Sequence, residues 1–281
     1  MASAADQREE MLERWERAAA GWSRRADGVQ EFGIRVSVWM VEHLALQPGQ
    51  RVLDLAAGPG DTGFLAAELV QPGGTLLTSD ASRAMLGVAT GRARDLGVTN
   101  VEFKQLELEW IDLPTASVDA ALCRWGLMLA LDPGAALQEA RRVIRPGGRI
   151  AVAVWDAAEQ NPWATIPTRA LVELGHAEPP DPNAPGMFAL ADAERLRRLL
   201  EDAGFVEVIV ESVELSRADA SIEAYLDETR DLSSSFADAW QRLSERDRGQ
   251  LRDRIGSLAA PFASAEGVRF PARSLVAAAA A

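Results

Sequence analysis

Between residues 51 and 155, five short apolar segments alternate with stretches of helical spacing, and this alternation constrains the fold more than any other feature. The segments are RVLDLA, GTLLTSD, VEFKQL, VDAALCRW and RIAVAVW. Short apolar strands separated by helices are typical of βαβ units, whose neighbouring strands are parallel. The pattern therefore predicts an α/β fold with a parallel sheet. Ser82 and Asp132 are predicted helix N-caps, and Gly97 is the predicted end of the helix that follows Ser82.

The segments on either side of this region are predicted to be mainly helical. Apolar residues at helical spacing predict one helix that includes Trp22 and a second that starts near Val36, both before the first strand. After the fifth strand, HAEPPDPNAPGMF predicts a surface loop. Two later segments, FVEVIVESVEL and VRFPARSLVAAAA, predict strands that a helical insertion joins.

A glycine-rich loop, LDLAAGPGDTG at residues 53–63, follows the first predicted strand directly. Its glycines match the dinucleotide fingerprint, and Asp80 ends the next strand at the distance expected for a carboxylate that binds a ribose. Asp54 and Asp61, however, flank the loop with negative charge, which would repel a pyrophosphate. A cationic ligand without phosphate, such as S-adenosylmethionine, fits these charges better than a nicotinamide dinucleotide does.

Four segments in the right order resemble the successive motifs of the class I S-adenosylmethionine-dependent methyltransferases, above all the ubiquinone/menaquinone C-methyltransferase-like group. They are VLDLAAGPGD, TSDASRAML, FKQLELEWIDLPTASVDAAL and RVIRPGGRIAVAVW. The resemblance covers most of the chain. It implies a three-layer, Rossmann-like α/β fold with sheet order 3-2-1-4-5-7-6 and an antiparallel strand 7. It also implies S-adenosylmethionine as cofactor and methyl transfer to a small organic acceptor by direct displacement.

The resemblance assigns the glycine loop to the methionyl part of the cofactor. Gly58, Pro59 and Gly60 would contact this part, and Asp54 would lie near its ammonium group. Ala56 stands where relatives carry the first glycine of the loop. We expect this change to cost little, provided that φ of Ala56 is negative.

The nucleoside part of the cofactor is assigned to the ends of the second and third strands. Asp80 would hold the ribose diol through two charge-assisted hydrogen bonds, and Ala81 and Met85 would flank the adenine. Glu107 would accept a hydrogen bond from the adenine amino group, while the Leu108 N–H would donate to the ring.

The reacting end of the cofactor is assigned to the end of the fourth strand. Cys123 and Arg124 would lie beside the methionyl tail and the sulfonium, and Trp22 matches the aromatic residue that relatives place over the cofactor. We expect Met187 and Phe188 to contact the acceptor, because the segments that differ between relatives carry the specificity.

The resemblance and the chain order together predict three parts. Residues 1–45 are N-terminal helices that form part of a lid, residues 46–216 with 266–281 form the methyltransferase core, and residues 217–265 form an acceptor-side cap. The apolar stripes of this insertion would either face the acceptor, or pack on each other or on a partner subunit. His176 is a weak candidate for an acid or base beside the pocket.

Composition excludes several classes of protein. The chain has 29 basic and 42 acidic residues, so its formal charge of −13 argues against nucleic acid or anionic lipid as a partner. One cysteine and two histidines give no disulfide framework and no expected metal site. Without an apolar span or a signal peptide, a cytoplasmic enzyme with no membrane partner is expected.

The sequence leaves several alternatives open. A cofactor-binding protein without catalysis and, less favoured, a nicotinamide oxidoreductase are the alternatives to a methyltransferase. The acceptor is expected to be quinone- or phenol-like, or natural-product-like, but the methylated atom could be carbon, oxygen or nitrogen. A homodimer is possible.

Overall fold

The computed structural model describes residues 4–181 and 184–281. Residues 1–3 of the predicted N-terminal helices, and residues 182–183 of the predicted proline-rich loop, lie outside the described residues. The described strands are β1 (Arg51–Asp54), β2 (Thr75–Asp80), β3 (Val101–Gln105), β4 (Val118–Arg124), β5 (Ile144–Trp155), β6 (Val206–Asp219), β7 (Ala263–Ser264) and β8 (Gly267–Ala280).

These strands form a sheet in the order β3-β2-β1-β4-β5-β8-β6, and the two-residue β7 pairs with β8. All neighbouring pairs among β1–β5 are parallel, whereas β8 is antiparallel to both β5 and β6. With β7 left aside, this is the predicted order 3-2-1-4-5-7-6 with an antiparallel last strand. The predicted fold class is therefore confirmed. The carboxyl ends of β1–β5 meet at one edge, where ligands bind in sheets of this kind.

The described helices are α1 (Ala4–Leu44), α2 (Asp61–Leu69), α3 (Arg83–Leu96), α4 (Pro133–Val143), α5 (Pro162–Glu173), α6 (Ala193–Asp202), α7 (Ile222–Leu232), α8 (Ser234–Arg242) and α9 (Glu245–Ala259). The predicted helix ends are confirmed. Ser82 Oγ accepts a hydrogen bond from the Met85 N–H, and the Asp132 side chain accepts one from the Ala135 N–H. Gly97 ends α3 with φ of +72°.

The prediction of two N-terminal helices is wrong, because α1 is one continuous helix of 41 residues. The sequence contains glycine but no proline between the two apolar runs. A glycine inside a helix costs only about 1 kcal/mol relative to alanine, and tertiary contacts readily outweigh this amount. Helix α1 makes such contacts along its length, with α2, α3 and α7 as well as with the sheet.

Among the described residues, buried apolar side chains form a main core and two smaller clusters. The main core lies between the sheet and the helices that pack on it. A second core lies among α5, α7, α8, α9 and β8, with Tyr225 and Phe270 fully buried at its centre. Phe236 and Ile255, from the two apolar stripes of the insertion, are buried in this second core. Both stripes therefore contribute side chains to this second core. No helix among the described residues has the length and apolar character needed to cross a bilayer.

Candidate active site

The glycine loop leaves β1 at Asp54 and ends where α2 begins at Asp61. It turns through left-handed backbone at Gly58 and Gly60, which have φ of +53° and +88°. The Ala57 N–H donates to the Ser79 carbonyl at 2.9 Å. The loop is thus fixed to the end of β2, and its backbone faces the carboxyl edge of the sheet.

Asp80 fixes the same loop through its side chain. Its two carboxylate oxygens accept hydrogen bonds from the N–H groups of Gly58 and Ser82, each at 2.9 Å. Burial raises the pKa of this carboxyl above its ordinary value, although these amide donors partly oppose the rise. A carboxylate has about four acceptor positions. Asp80 therefore keeps capacity for two further donors, as a diol would require.

Asp54 is 2% exposed and is the most unusual charge of the site. Its Oδ2 atom is buried and has no hydrogen-bond partner among residues 4–181 and 184–281. Burial raises the pKa of Asp54 well above its ordinary value; Arg124 lowers this pKa, while Asp80 and Asp61 raise it further. A buried acceptor left unpaired costs about 1–3 kcal/mol. A cationic ligand next to Oδ2 would remove this cost.

Gly63 is needed for a reason other than the binding of a dinucleotide. A Cβ atom at this position would lie 2.3 Å from Asp54 Oδ2. Position 63, in the first turn of α2, therefore requires a glycine, since any side chain there would collide with the Asp54 carboxylate.

Asp61 does not act as the second unpaired anion that we expected beside the loop. Its Oδ1 accepts from Arg92 Nη2 at 3.0 Å, and its Oδ2 accepts from Arg124 Nη2 at 2.9 Å. Two guanidinium groups thus neutralise this buried carboxylate. The partners of Asp61 are not visible in the sequence. Of the two carboxylates, Asp54 is the one with a buried oxygen that has no hydrogen-bond partner among the described residues.

Arg124, whose charge interacts with that of Asp54, also has a hydrogen-bonding group without a partner among the described residues. Its side chain is 7% exposed, and its buried Nη1 atom has no hydrogen-bond partner in the part of the chain that the structure describes. Burial lowers the pKa of Arg124, and the nearby Asp61 and Asp54 raise it. The loop is therefore flanked by a free carboxylate oxygen and a free guanidinium N–H. An α-amino acid group, with an ammonium and a carboxylate, has the matching chemistry.

Ala56 departs from our expectation, since its φ is +50° rather than negative. The loop keeps the left-handed turn that a glycine would adopt, at a cost of roughly 1 kcal/mol for a residue with a Cβ. Gly126 makes room for the methyl group, because a Cβ on Gly126 would lie 2.5 Å from Ala56 Cβ. Cys123 also lies beside Gly126 and is buried. Burial raises the pKa of its thiol to about 12.

Trp22 is held by hydrogen bonding as well as by packing. Its Nε1 donates to the Leu232 carbonyl at the end of α7 at 3.1 Å, and its ring meets that of Trp15 edge-on. Both rings pack with Met85, which is fully buried under α1. Trp22 and Met85 therefore lie in one cluster, as expected if both line the adenine side. Their contact with a cofactor stays a prediction.

The remaining predicted adenine contacts lie at the ends of β2 and β3. Ala81 accepts a hydrogen bond from Gln105 through its carbonyl, which ties the two strand ends together. Glu107 is exposed and forms an isolated backbone bridge with Trp110, while Leu108 packs against the main core. The roles assigned to these residues also stay predictions.

An aromatic cluster, Phe32–Trp125–Trp155–Trp163, lies beside Arg124 and was missed in the sequence. Trp125 and Trp155 stack with their centroids 4.2 Å apart, and the Arg124 guanidinium lies 4.6 Å from the centroid of Trp125. Trp163 meets Trp155 edge-on at 5.2 Å and Phe32 edge-on at 5.5 Å. Trp155 is buried, but the other three rings are partly exposed. The sequence does contain a signal for this cluster, because a tryptophan stands at the carboxyl end of each of the neighbouring strands β4 and β5.

The backbone of Trp125 has φ of +58°, which is an outlier for a bulky residue. Its indole N–H donates to Ser274 Oγ at 3.1 Å, which fixes the ring orientation. Such strain persists where the surroundings determine it, often at functional sites.

The predicted acceptor residues, Met187 and Phe188, and the weak catalytic candidate His176 lie in different parts of the chain. His176 follows α5, its N–H donates to the Leu171 carbonyl, and the adjacent Ala177 packs against the second core. Met187 and Phe188 instead pack against the main core. Their loop is fixed to the turn after β4 because the Gly186 N–H donates to the Met128 carbonyl at 3.1 Å. Within residues 4–181 and 184–281, no group of three or more His, Cys, Asp or Glu side chains is arranged to hold a metal ion.

The sheet order, the glycine loop and the acidic residue at the end of β2 together define a class I methyltransferase fold. The methyltransferase domain family matches residues 46–204, more than half of the chain, and the chain belongs to this family. It is thus an S-adenosylmethionine-dependent methyltransferase rather than a nicotinamide oxidoreductase.

Curated relatives agree with this class. The chain is 29% identical over 176 residues to the ubiquinone/menaquinone biosynthesis C-methyltransferase UbiE of Cellvibrio japonicus, covering 59% of this chain and 71% of the relative. It is 29% identical over 193 residues to UbiE of Shewanella frigidimarina, covering 64% and 76%.

Solved structures show the same fold at lower identity. The YcgJ protein of Bacillus subtilis matches with a TM-score of 0.58 and 19% identity, covering 87% of this chain and 97% of that one. The [4+2]-cyclase SpnF matches with a TM-score of 0.53 and 19% identity, covering 88% and 80%. At such identity the likeness concerns the fold alone, and a cyclase among the neighbours illustrates that a fold does not fix a reaction.

Proposed function

We propose that this methyltransferase methylates a small planar acceptor of the quinone or phenol type. The observation that carries the proposal is the aromatic cluster beside Arg124, with three partly exposed rings at the carboxyl ends of β4 and β5. Aromatic rings bind other rings through offset stacking and edge contacts, worth about 0.5–1.5 kcal/mol beyond the area that they bury. The UbiE relatives, whose printed names concern ubiquinone and menaquinone, support the same acceptor class.

The cofactor fits the unpaired atoms of the site. Asp54 Oδ2 would accept from the ammonium, and Arg124 Nη1 would donate to the carboxylate of the methionyl group. Asp80 would use its remaining acceptor positions for the ribose diol, next to the loop that it already holds. We assign the other predicted positions to the same cofactor; they are Trp22, Ala56, Gly58, Pro59, Gly60, Ala81, Met85, Glu107, Leu108 and Cys123.

The site residues of this chain mainly bind the cofactor and orient the acceptor. S-adenosylmethionine, when bound, supplies an activated methyl group on its sulfonium. Alignment of the acceptor with that group contributes several kcal/mol without a protein nucleophile. Cys123 stays a thiol at neutral pH, because burial raises its pKa to about 12, and it serves as a small apolar contact.

We further propose that α1 and the insertion at residues 217–265 close the site together, with residues 46–216 and 266–281 as the core. This is supported by the hydrogen bond from Trp22 to Leu232 and by two ion pairs, from Arg24 and Arg25 to Asp231. A lid of this kind would exclude water around an apolar acceptor. Met187 and Phe188 would reach the acceptor from the loop that Gly186 fixes to Met128.

The test is turnover with matched acceptor panels. Formation of S-adenosylhomocysteine would be measured with quinols and phenols, and with aliphatic amines of similar size. We expect activity with the first panel, and a KM for the acceptor at least tenfold higher in Trp163→Leu. Trp39→Leu is the matched control, because Trp39 lies on α1 away from the cluster, where its indole N–H donates to Glu211.

Three outcomes would distinguish the proposed function from its alternatives. Preference for amines would refute the proposed acceptor class. Cofactor binding without turnover on any acceptor would favour a cofactor-binding protein without catalysis. An equal loss of activity in both tryptophan variants would show that the aromatic cluster does not recognise the acceptor.

A further inference from the structure

Arg92, on α3, connects three elements around the cofactor loop. Its Nη2 donates to Asp61 Oδ1 and to Gln30 Oε1, both at 3.0 Å. Its Nη1 donates to Asp27 Oδ1 at 2.8 Å. Asp27 and Gln30 belong to α1, and Asp61 begins α2. None of these contacts was apparent from the sequence, and of the four residues only Asp61 belongs to the motifs that indicated the family.

Asp61 passes the constraint on to Arg124. The carboxylate of Asp61 is 1% exposed by side chain and uses one oxygen for Arg92 and the other for Arg124. A buried carboxylate held between two guanidinium groups has little freedom, since loss of either partner would leave a charge unpaired. The position of the Arg124 guanidinium thus depends on the position of Arg92.

Helix α1 also contacts Arg124 directly. A Cβ at Gly33 would lie 2.1 Å from Arg124 Nη1 and 2.9 Å from the Trp125 ring. Any other residue at Gly33 would therefore displace the guanidinium or the helix. Residues 27–33 of α1 are fixed over Arg124 by Arg92 at one end and by this close approach at the other.

We infer that Arg92 is a positioning residue for cofactor binding, which holds Arg124 through Asp61 and holds residues 27–33 of α1 over the cofactor's carboxylate. Arg92 does not itself contact the cofactor. The inference rests on the proposed contact between Arg124 Nη1 and that carboxylate. It predicts that cofactor binding and the ordering of α1 depend on each other.

The first test uses two ligands that differ in the amino-acid group. S-adenosylhomocysteine carries this group, whereas 5′-methylthioadenosine lacks it. In Arg92→Met, we expect the Kd for S-adenosylhomocysteine to rise at least tenfold and the Kd for 5′-methylthioadenosine to change less than twofold. Arg94→Met is the matched control, because Arg94 lies on the same helix and forms an exposed ion pair with Asp95 at the surface. This control should bind both ligands as the unchanged chain does.

The second test follows α1 by amide hydrogen exchange. S-adenosylhomocysteine should slow exchange at residues 27–33 of the unchanged chain, and this protection should be lost in Arg92→Met. Asp27→Asn provides a milder variant, since the Asp27 side chain is 96% exposed and its loss leaves Asp61 paired. We expect it to reduce the protection and to weaken S-adenosylhomocysteine two- to threefold.

The outcomes are distinct. An equal loss of affinity for both ligands in Arg92→Met would reduce Arg92 to a structural link between helices and overturn the inference. Unchanged affinity in a folded Arg92→Met, or unchanged protection in Asp27→Asn, would also overturn it. Failure of the unchanged chain to bind S-adenosylhomocysteine at all would instead contradict the proposed cofactor site.

Discussion

Replacing Asp54 with asparagine should stabilise the ligand-free chain and at the same time weaken cofactor binding. The Asp54 carboxylate is 2% exposed with one oxygen unpaired, and its pKa is raised well above the ordinary value by burial. Asparagine has nearly the same shape without the charge. Because burial disfavours the charged carboxylate and Asp80 and Asp61 add like-charge repulsion, whereas the asparagine amide carries no charge, we expect the free energy of unfolding to increase at neutral pH. The melting temperature would then rise by roughly 2–4 °C per kcal/mol in a chain of this size.

The affinity should change in the opposite direction. In the proposed site, Asp54 Oδ2 accepts from the ammonium of the cofactor, and a hydrogen bond to a charged group contributes about 1.5–3 kcal/mol. Its loss should weaken S-adenosylhomocysteine by about 10- to 100-fold. Asp119 provides the control, since each oxygen of this buried carboxylate has a partner, the Arg51 N–H for Oδ2 and the Arg145 guanidinium for Oδ1. Asp119→Asn should lower the melting temperature instead of raising it.

The pH dependence follows from the direction of the same pKa. The folded chain binds a proton at Asp54 more tightly than the unfolded chain does, because burial raises the folded pKa. Its free energy of unfolding should therefore fall as the pH rises from about 4, the ordinary value, through the raised pKa. The free energy of unfolding of Asp54→Asn should fall less over this pH range. The raised pKa of Asp80 contributes to the pH dependence of both proteins. The cofactor's ammonium would favour the charged carboxylate, so binding should release a proton below the raised pKa.

Chemical denaturation across pH and calorimetry in two buffers of different ionisation enthalpy would measure these effects. A lower melting temperature for Asp54→Asn would show that the carboxylate stabilises the ligand-free fold, and the reasoning would be refuted. Unchanged affinity for S-adenosylhomocysteine would remove Asp54 from the cofactor site.

Three further predictions concern the same site. Asp80→Ala should weaken S-adenosylhomocysteine by about 1.5–3 kcal/mol, because it removes charged hydrogen bonds to the ribose and frees the Gly58 N–H; thermal-shift titration measures this, and unchanged affinity would leave Asp80 with only its loop contacts. Phe188→Ala should raise the acceptor KM or lower kcat at nearly constant cofactor affinity in steady-state assays, and full activity would exclude Phe188 from the acceptor pocket. Treatment with a chelator should leave methyl transfer unchanged; loss of activity that a divalent ion restores would contradict a metal-free mechanism.

The sheet could be predicted because its signals are local. Apolar runs, caps such as Ser82 and the glycine that ends α3 act within a few residues of their own position. Four motifs at the strand ends then indicated the family and, through it, the antiparallel β8 between β5 and β6. The continuity of α1 could not be read in the same way, because its stability comes from contacts with helices that follow it much later in the chain.

Charges were the least predictable part of the site. Asp54 and Asp61 look alike in the sequence, at the two ends of one loop, but the structure gives them opposite surroundings. Two arginines from α3 and β4 neutralise Asp61, whereas Asp54 keeps a buried oxygen without a donor. The sign of the field at a ligand site depends on such pairings and not on the count of acidic residues near it.

The aromatic cluster shows how far strand register could have extended the prediction. In the parallel pair of β4 and β5, Arg124 lies opposite Ala153, so Trp125 and Trp155 follow within two residues of this pair, at nearly the same level of the sheet. Trp125 and Trp155 were therefore bound to lie close together once the strand order was known. Phe32 could not be foreseen, because it reaches the cluster from α1, and α1 is placed there by Gly33, which leaves room for Arg124 and Trp125. A glycine that reads as a weak point of a helix is in fact the residue that allows α1, Arg124 and the aromatic cluster to meet.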